Sequence, residues 1–105
     1  MKFIVITLTE ANIEHSHIYL SSHIGFFSEN VIGGANKSSI AEQLLQLNFG
    51  LGGDPVYTDI AGDKNIFRKR GWVKTFFKIH ELEAGDSIVI EKIDELSLHI
   101  YPSRH

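Results

Sequence analysis

Residues 63–90, with the sequence DKNIFRKRGWVKTFFKIHELEAGDSIVI, carry signals for a hairpin strand, a helix, a turn and another strand. Just before them, residues 56–60 are rich in β-branched and aromatic side chains and predict a strand. Residues 61–63 predict a turn, so that residues 64–68 return as the hairpin partner of that strand. We therefore expect a β-hairpin immediately before the helix.

The helix signal runs from residue 71 to residue 82. Trp72, Phe76 and Ile79 recur at helical spacing on one side of the predicted helix, and further apolar residues lie beside them. The spacing predicts a helix that packs one side against the core.

Further strands are predicted on both sides of this stretch. A Gly-Asp pair at 85–86 breaks the chain before a β-branched run at 87–90. Another strand is predicted at about 96–101, and the alternating, doubly apolar run at 3–8 predicts a buried strand. The dominant period of the chain is therefore two.

Residues 15–20 also alternate and predict a strand that projects His15 and His17 from one face. Residues 10–14 form the polar connection before it. A short helical turn is expected around 22–27.

Glycine-rich segments predict loops between these elements. Residues 32–37 contain paired glycines and an asparagine, which allow positive φ, and residues 50–55 predict a turn. Ser39 and Glu42 form a capping-box pattern that favours a helix. A strand over 44–49 is the alternative.

Six or seven short strands, one strong helix and one weak helix predict a closed or nearly closed barrel. The 105 residues fit a single domain, 1–105, with 43% hydrophobic and 22% charged residues. The chain has no cysteine, which excludes disulfides and thiolate zinc sites. It shows neither a signal-peptide pattern nor an apolar run long enough for a bilayer, so we expect a soluble, cytoplasmic protein or an excised domain.

Positive and negative charges are separated along the chain. Residues 63–78 hold six of the ten Lys and Arg residues and one acid, whereas the rest of the chain carries four basic and twelve acidic groups. The local charges of +5 and −8 favour a polyanionic partner that docks on one face. The alternative is an ordinary solvated basic helix.

The order of several residues resembles the plant B-three DNA-binding domain of auxin-response transcription factors and its bacterial relatives in restriction endonucleases. The residues that carry the resemblance are Thr7-Leu8-Thr9, His15, and the series Arg70-Gly71-Trp72, Phe76, Leu82, Gly85-Asp86 and Ile90. It spans about residues 3–101. The segment 33–39 and the turn at 50–53 depart from the plant pattern and look more like the bacterial branch.

The resemblance implies a mainly β fold, an open seven-stranded pseudobarrel with two short flanking helices, which grips the DNA major groove with two arms. The first arm would be residues 10–17 and the second residues 58–70. Arg, Asn and acidic side chains can pair with base edges, whereas lysines hold phosphates. The predicted DNA-binding residues are Glu10, Asn12, His15, His17, Asn36, Lys37, Asp59, Lys64, Asn65, Arg68, Lys69, Arg70 and Lys74.

Several of these residues also have a purely structural interpretation. Arg68 and Arg70 could pair with Asp59 or Glu81 at the surface. Lys64 and Asn65 lie at the hairpin tip, where asparagine is a common turn former. Asn36 and Lys37 could belong to a solvated loop, and Trp72 is expected in the core rather than on a base.

The histidines also allow a metal site or a small enzyme as alternatives. His15 and His17 have a spacing that can bind zinc or copper, with Glu10 or Glu14 as an oxygen ligand. A histidine with Glu14 could act as acid and base in a small ribonuclease. No nucleophile, carboxylate pair or phosphate loop accompanies them, so we expect no catalysis, no metal and no cofactor.

We therefore expect sequence-specific binding of double-stranded DNA and no membrane contact, as the recognition or effector domain of a restriction endonuclease. A nuclease domain could lie elsewhere or in a partner. A stand-alone transcription regulator and a protein-interaction module with a basic face are the alternatives.

Overall fold

The computed structural model describes residues 2–49 and 54–103, with the backbone but not the side chain of Lys37. Residues 50–53 of the predicted turn lie outside the described residues. The described part of the chain is mainly β. Its strands are β1 (Lys2–Thr7), β2 (Ile32–Gly33), β3 (Leu45–Asn48), β4 (Val56–Thr58), β5 (Ile60–Ala61), β6 (Ile66–Phe67), β7 (Ser87–Asp94) and β8 (Ser97–Ser103).

The helices are α1 (Glu10–His15) and α2 (Arg70–Ile79), together with three short 3₁₀ segments, Ser21–Phe26, Glu29–Val31 and Lys37–Ser39. The first 3₁₀ segment confirms the helical turn expected around 22–27.

The strands form two sheets. Five strands pair in the order β1-β7-β8-β3-β4, and three pair in the order β2-β5-β6. Most neighbours are antiparallel, but β3 pairs with β8 in parallel, and β2 pairs with β5 in parallel. Closure of these sheets into a pseudobarrel stays a prediction.

Strand alternation places the core on one face of the large sheet. Ile88 and Ile90 of β7 are fully buried, and so are Leu98 and Ile100 of β8. Alternate residues of β7 and β8 therefore face a common core, as a half-buried antiparallel pair requires.

Helix α2 covers this core with aromatic side chains. Trp72, 9% exposed, stacks on Phe76 with ring centroids 5.3 Å apart, which confirms its expected core position. The helix ends at Ile79 rather than residue 82, and Ile79 is 49% exposed instead of buried. Glu81 adopts a left-handed φ of 52°, and the Leu82 N–H donates to the Phe77 carbonyl at 2.9 Å. This is a Schellman motif, which stops the helix early and returns Leu82 to the core.

The predicted strand at 15–20 and the polar connection at 10–14 were wrong, because α1 occupies residues 10–15. Thr9 is the N-cap, and a capping box joins it to Asn12: the Asn12 N–H donates to Thr9 Oγ1 at 3.2 Å, and the Thr9 N–H donates to Asn12 Oδ1 at 2.7 Å. Ser16, in the left-handed region with φ of 56°, ends the helix. His15 and His17 therefore do not share a strand face, and Tyr19 pairs with Ile66 only through an isolated bridge.

The strand alternative was correct for the segment after Ser39. Strand β3 begins at Leu45, and its alternating burial places Leu45 and Leu47 in the core. The capping-box pattern at Ser39 and Glu42 starts no helix there. The buried leucines stabilise the strand more than a local cap could stabilise a helix.

The predicted loop at 32–37 begins instead with β2, and Gly33 in that strand is explained by close packing rather than by the positive φ expected there. A Cβ at Gly33 would lie 2.5 Å from Asp59 Oδ2 and 2.5 Å from the Ser39 carbonyl oxygen. No side chain larger than hydrogen fits beside the Asp59 carboxylate, so glycine lets β2 lie directly against it.

Candidate nucleic-acid interface

Arg68 is engaged inside the protein. Its Nε and Nη2 donate to the two carboxylate oxygens of Asp59 at 2.6 and 3.0 Å. Its Nη1 and Nη2 also donate to the backbone carbonyls of Asn36 and Gly34, at 3.0 and 2.7 Å. Asp59 is 1% exposed and accepts a further hydrogen bond from the Ala41 N–H at 2.8 Å. The pairing of Arg68 with Asp59, weighed above as an alternative to a base contact, is therefore present.

This ion pair favours the protonated form of Arg68. The hydrogen bond to Asp59 raises the pKa of Arg68 above its already high ordinary value. All three guanidinium nitrogens are in use within the protein, so a base contact by Arg68 would require breaking these bonds. Arg68 and Asp59 therefore have no part in the function proposed below.

The two asparagines predicted outside the hairpin have local partners. Asn12 is buried, and its side chain completes the capping box of α1. Asn36 is exposed, and its Oδ1 accepts a hydrogen bond from the Ser38 N–H at 3.1 Å, which caps the following 3₁₀ turn. The predicted role of the Lys37 side chain falls outside the described residues.

The other predicted cations are exposed and lie on the β5–β6 turn and the first half of α2. We call His15, Lys64, Lys69, Arg70 and Lys74 the basic face; all five are exposed. Arg70 Nη2 donates to the backbone carbonyl of His15 at 3.0 Å, which joins the start of α2 to the end of α1. This contact uses one of the five guanidinium N–H donors.

The hairpin tip of the second predicted arm lies against the chain that follows the first arm. The Leu20 N–H donates to the Asn65 carbonyl at 2.8 Å, and Asn65 Nδ2 donates to Ser21 Oγ at 3.4 Å. Asn65 itself has a left-handed φ of 54°, as its place in the turn requires. The chain that follows α1 and the hairpin tip therefore form one continuous surface.

A groove of about 650 Å³ lies between α1 and α2. His15, Arg70 and Lys74 line it, and so do two acids, Glu14 and Glu81. An anionic ligand in this groove would meet the cations Arg70 and Lys74 of α2, with Glu14 and Glu81 repelling it from part of the wall.

The start of α2 adds positive potential to the basic face. The first turn of this ten-residue helix contains no acid, and its N-cap, Lys69, makes no capping hydrogen bond with its side chain. The Lys69 N–H donates to Thr58 Oγ1 at 3.1 Å, which ties the helix start to β4. The positive end of the helix dipole thus coincides with the basic side chains.

His17 lies beneath the basic face and is 6% exposed. Its Nδ1 is 2.9 Å from the Tyr19 hydroxyl oxygen, and its ring centroid is 5.7 Å from that of His15. Its Nε2 is buried without a hydrogen-bond partner among the described residues. Burial lowers the pKa of His17, and the positive charges of Arg70, Lys64 and His15 lower it further. The ring of His17 therefore favours its neutral form.

Sequence reasoning missed two residues of this surface and misplaced a third. Tyr19 contacts His17, and its position two residues after His17 in the predicted strand could have suggested the pair. Lys78 lines the groove, one helical turn after Lys74. Glu10 is exposed in a separate depression with Glu83, outside the groove lining.

Within residues 2–49 and 54–103, no three His, Asp or Glu side chains are grouped so that they could hold a metal ion. In the same part of the chain, the helices are too short or too polar to cross a bilayer.

Comparisons with protein-family models, with curated proteins and with solved structures find no match to this chain. Its function is therefore inferred from the geometry and charge of the basic face.

Proposed function

We propose that this domain binds double-stranded DNA sequence-specifically through the basic face, as a recognition or effector domain of a restriction endonuclease. The observation that carries the proposal is the hydrogen bond from Arg70 to the His15 carbonyl, which joins the second predicted arm to the first and places Arg70 beside the exposed end of α1. Lysines and arginines that converge on one face of an otherwise acidic protein suit a phosphate backbone.

The proposed roles follow from side-chain chemistry. Lys64, Lys69 and Lys74 hold phosphates and fix the position of the protein on the duplex without reading sequence. Arg70 is the proposed base reader, because its planar guanidinium can donate two hydrogen bonds to guanine. Its bond to the His15 carbonyl orients the side chain before DNA arrives.

The proposal includes the open pseudobarrel as the arrangement of the two sheets. The hairpin of β5 and β6 presents Lys64 at its tip, and β4 supports the start of α2 through Thr58. The first arm therefore lies on helix α1 and the second on strands, rather than on free loops, which suits a surface that must match a groove.

The test is selection from a pool of random-sequence duplexes, followed by sequencing of the bound fraction at two salt concentrations. We expect enrichment of a short motif, with binding that weakens steeply as salt rises. Arg70→Ala should lose about 1 to 3 kcal/mol on the selected site and relax the preference at one position. Lys2→Ala, which removes a charge from β1 in the large sheet, is the matched control and should keep both affinity and motif.

Two other outcomes would change the assignment. Salt-sensitive binding without an enriched motif would leave a non-specific phosphate binder. An absence of binding at low salt would refute DNA as the partner and favour an acidic protein surface instead.

A further inference from the structure

We propose that the free edge of β1 binds an extended, uncharged segment of a partner protein, which adds a sixth strand to the five-stranded sheet. The residues of the basic face all lie outside β1, so this surface is independent of the proposed function.

One side of the β1 backbone has no hydrogen-bond partner within the described chain. β1 is an edge strand, and among the described strands it pairs with β7 alone. Just beyond it, the Leu8 N–H donates to the Asp86 carbonyl oxygen at 2.7 Å, so by antiparallel alternation the even-numbered residues of β1 direct their backbone groups toward β7. The N–H and C=O groups of Phe3, Val5 and Thr7 therefore point away from β7 and make no hydrogen bond with the described residues. An extended peptide presents donors and acceptors at the same spacing of two residues.

β1 also lacks the features that usually prevent an edge strand from pairing. The common ones are short length, charges, proline and bulges. The opposite edge, β4, is only three residues long and follows Pro55. In contrast, β1 has six residues in unbroken register with β7, no proline, and a single charge at Lys2, its first residue. Its exposed side chains include Phe3 and Val5, which a partner strand would cover.

A cleft of about 260 Å³ lies beside this edge. Val5 and Thr7 of β1 line it, together with Tyr19, Ser22 and His23. Asn12 lines it as well, and the Nδ2 of this buried side chain has no hydrogen-bond partner in the described part of the chain. No Lys, Arg, Asp or Glu among the described residues lines the cleft. A partner segment with an uncharged, hydrogen-bonding side chain suits this lining.

A flexible segment fits this edge better than a second folded copy. Six residues of strand span about 20 Å, so pairing along this edge alone would bury a strip of roughly 200 Å². A stable interface between folded copies needs roughly 800 Å² per partner. A single extended segment, in contrast, pairs with the strand and also places a side chain in the cleft.

The first experiment measures amide hydrogen exchange by NMR on the free protein at low concentration. We expect the amides of Phe3, Val5 and Thr7 to exchange quickly. Those of Ile4 and Ile6, which are bonded to β7, should exchange at least about tenfold more slowly. Slow exchange of all five amides would show that the edge is already covered and would overturn the proposal. Protection that appears only as protein concentration rises, with a doubled mass in sedimentation, would assign the edge to a second copy and overturn it too.

The second experiment adds a capped octapeptide of alternating threonine and valine. Its matched control has the same sequence with every backbone nitrogen methylated, which removes the donors and keeps the side chains. We expect the first peptide to slow exchange at Phe3, Val5 and Thr7 by at least about tenfold, and the methylated peptide to leave it unchanged. No slowing with the unmethylated peptide, or equal slowing with both peptides, would overturn strand addition.

A pair of variants tests whether the peptide binds at this edge. Val5→Lys should weaken peptide binding, because a charge on an edge strand opposes pairing. Ile93→Lys changes an equally apolar, exposed position of β7 beyond the residues that pair with β1, and it should bind the peptide as the parent does. Equal binding by the two variants would place the peptide elsewhere and refute the proposal. The exchange measurements use the parent protein, so they stand even if a variant does not fold, and none of them involves DNA.

Discussion

Replacing Arg68 by methionine should destabilise the fold strongly, although Arg68 lies in the most basic stretch of the sequence. Methionine keeps much of the aliphatic stem and removes the guanidinium. The change deletes two hydrogen bonds to the Asp59 carboxylate, at 2.6 and 3.0 Å, and two to backbone carbonyls. It leaves a carboxylate that is 1% exposed with only the Ala41 N–H as a remaining partner among the described residues.

Removal of one partner from a buried ion pair typically costs about 3 to 5 kcal/mol. The upper part of this range is reasonable here, because the pair is bidentate and the carboxylate is fully enclosed. Domains of this size have a total stability of about 5 to 15 kcal/mol, so the variant could lose half of it. Arg70→Met, which removes one exposed contact to the His15 carbonyl, should cost less than about 1 kcal/mol and is the matched control.

The assay is urea unfolding followed by fluorescence of Trp72, the single tryptophan of the chain, which is buried against Phe76. A double-mutant cycle with Asp59→Asn isolates the pair. The double variant should lose less free energy of unfolding than the two single variants lose in sum, with a coupling of about 1 to 3 kcal/mol. Equal stability of Arg68→Met and Arg70→Met would refute the internal role of Arg68.

Three further predictions concern charge, protonation and packing. Lys74→Ala should weaken all duplexes about equally and reduce the slope of log affinity against log salt by about 0.9, whereas Lys2→Ala should leave that slope unchanged. Because folding lowers the pKa of His17, the unfolded chain binds more protons below about pH 6.5; stability should be full above that pH and fall as pH decreases, and urea midpoints of His17→Gln should show a weaker fall. Gly33→Ala should cost about 1 to 3 kcal/mol through overpacking, whereas Gly25→Ala, with open space around the added methyl group, should have little effect; equal losses would refute the close-packing argument.

The sequence predicted the elements whose side chains repeat regularly over many residues. Helix α2 and strands β7 and β8 have long apolar periods, and burial of those periods in the core makes pattern and structure agree. The end of α2 was less predictable, because Glu81 takes the left-handed position where glycine is usual.

Helix α1 was missed because its signal is short and unusual. It has six residues, too few for an apolar period, and its capping box uses Asn12 where Glu or Gln is common. The parallel pairing of β3 with β8 joins residues about fifty positions apart in the chain, and no local pattern specifies such a contact.

The basic face was only partly predictable for a related reason. The positive charge of residues 63–78 pointed to the segment that carries most of the basic face. Charge alone, however, does not show which of its side chains is directed into the protein. The hairpin register pairs Ile60 with Phe67, so Asp59 and Arg68 lie opposite each other. That register identifies Arg68 as a structural residue, whereas Lys64 and Arg70 stay at the surface.

The pairing of β1 with β7 has a consequence for how the chain reaches this fold. The register runs from Lys2 with Lys92 to Thr7 with Ser87, so β1 is synthesised about eighty residues before its partner strand. Closing so long a loop delays the large sheet, and contacts of this kind slow folding. Until β7 is synthesised, β1 has no partner strand. The side chains of Phe3 and Val5, which are 60% and 44% exposed even in the folded protein, then lie on an unpaired strand. We therefore expect a growing chain to be most prone to aggregation before β7 has been synthesised.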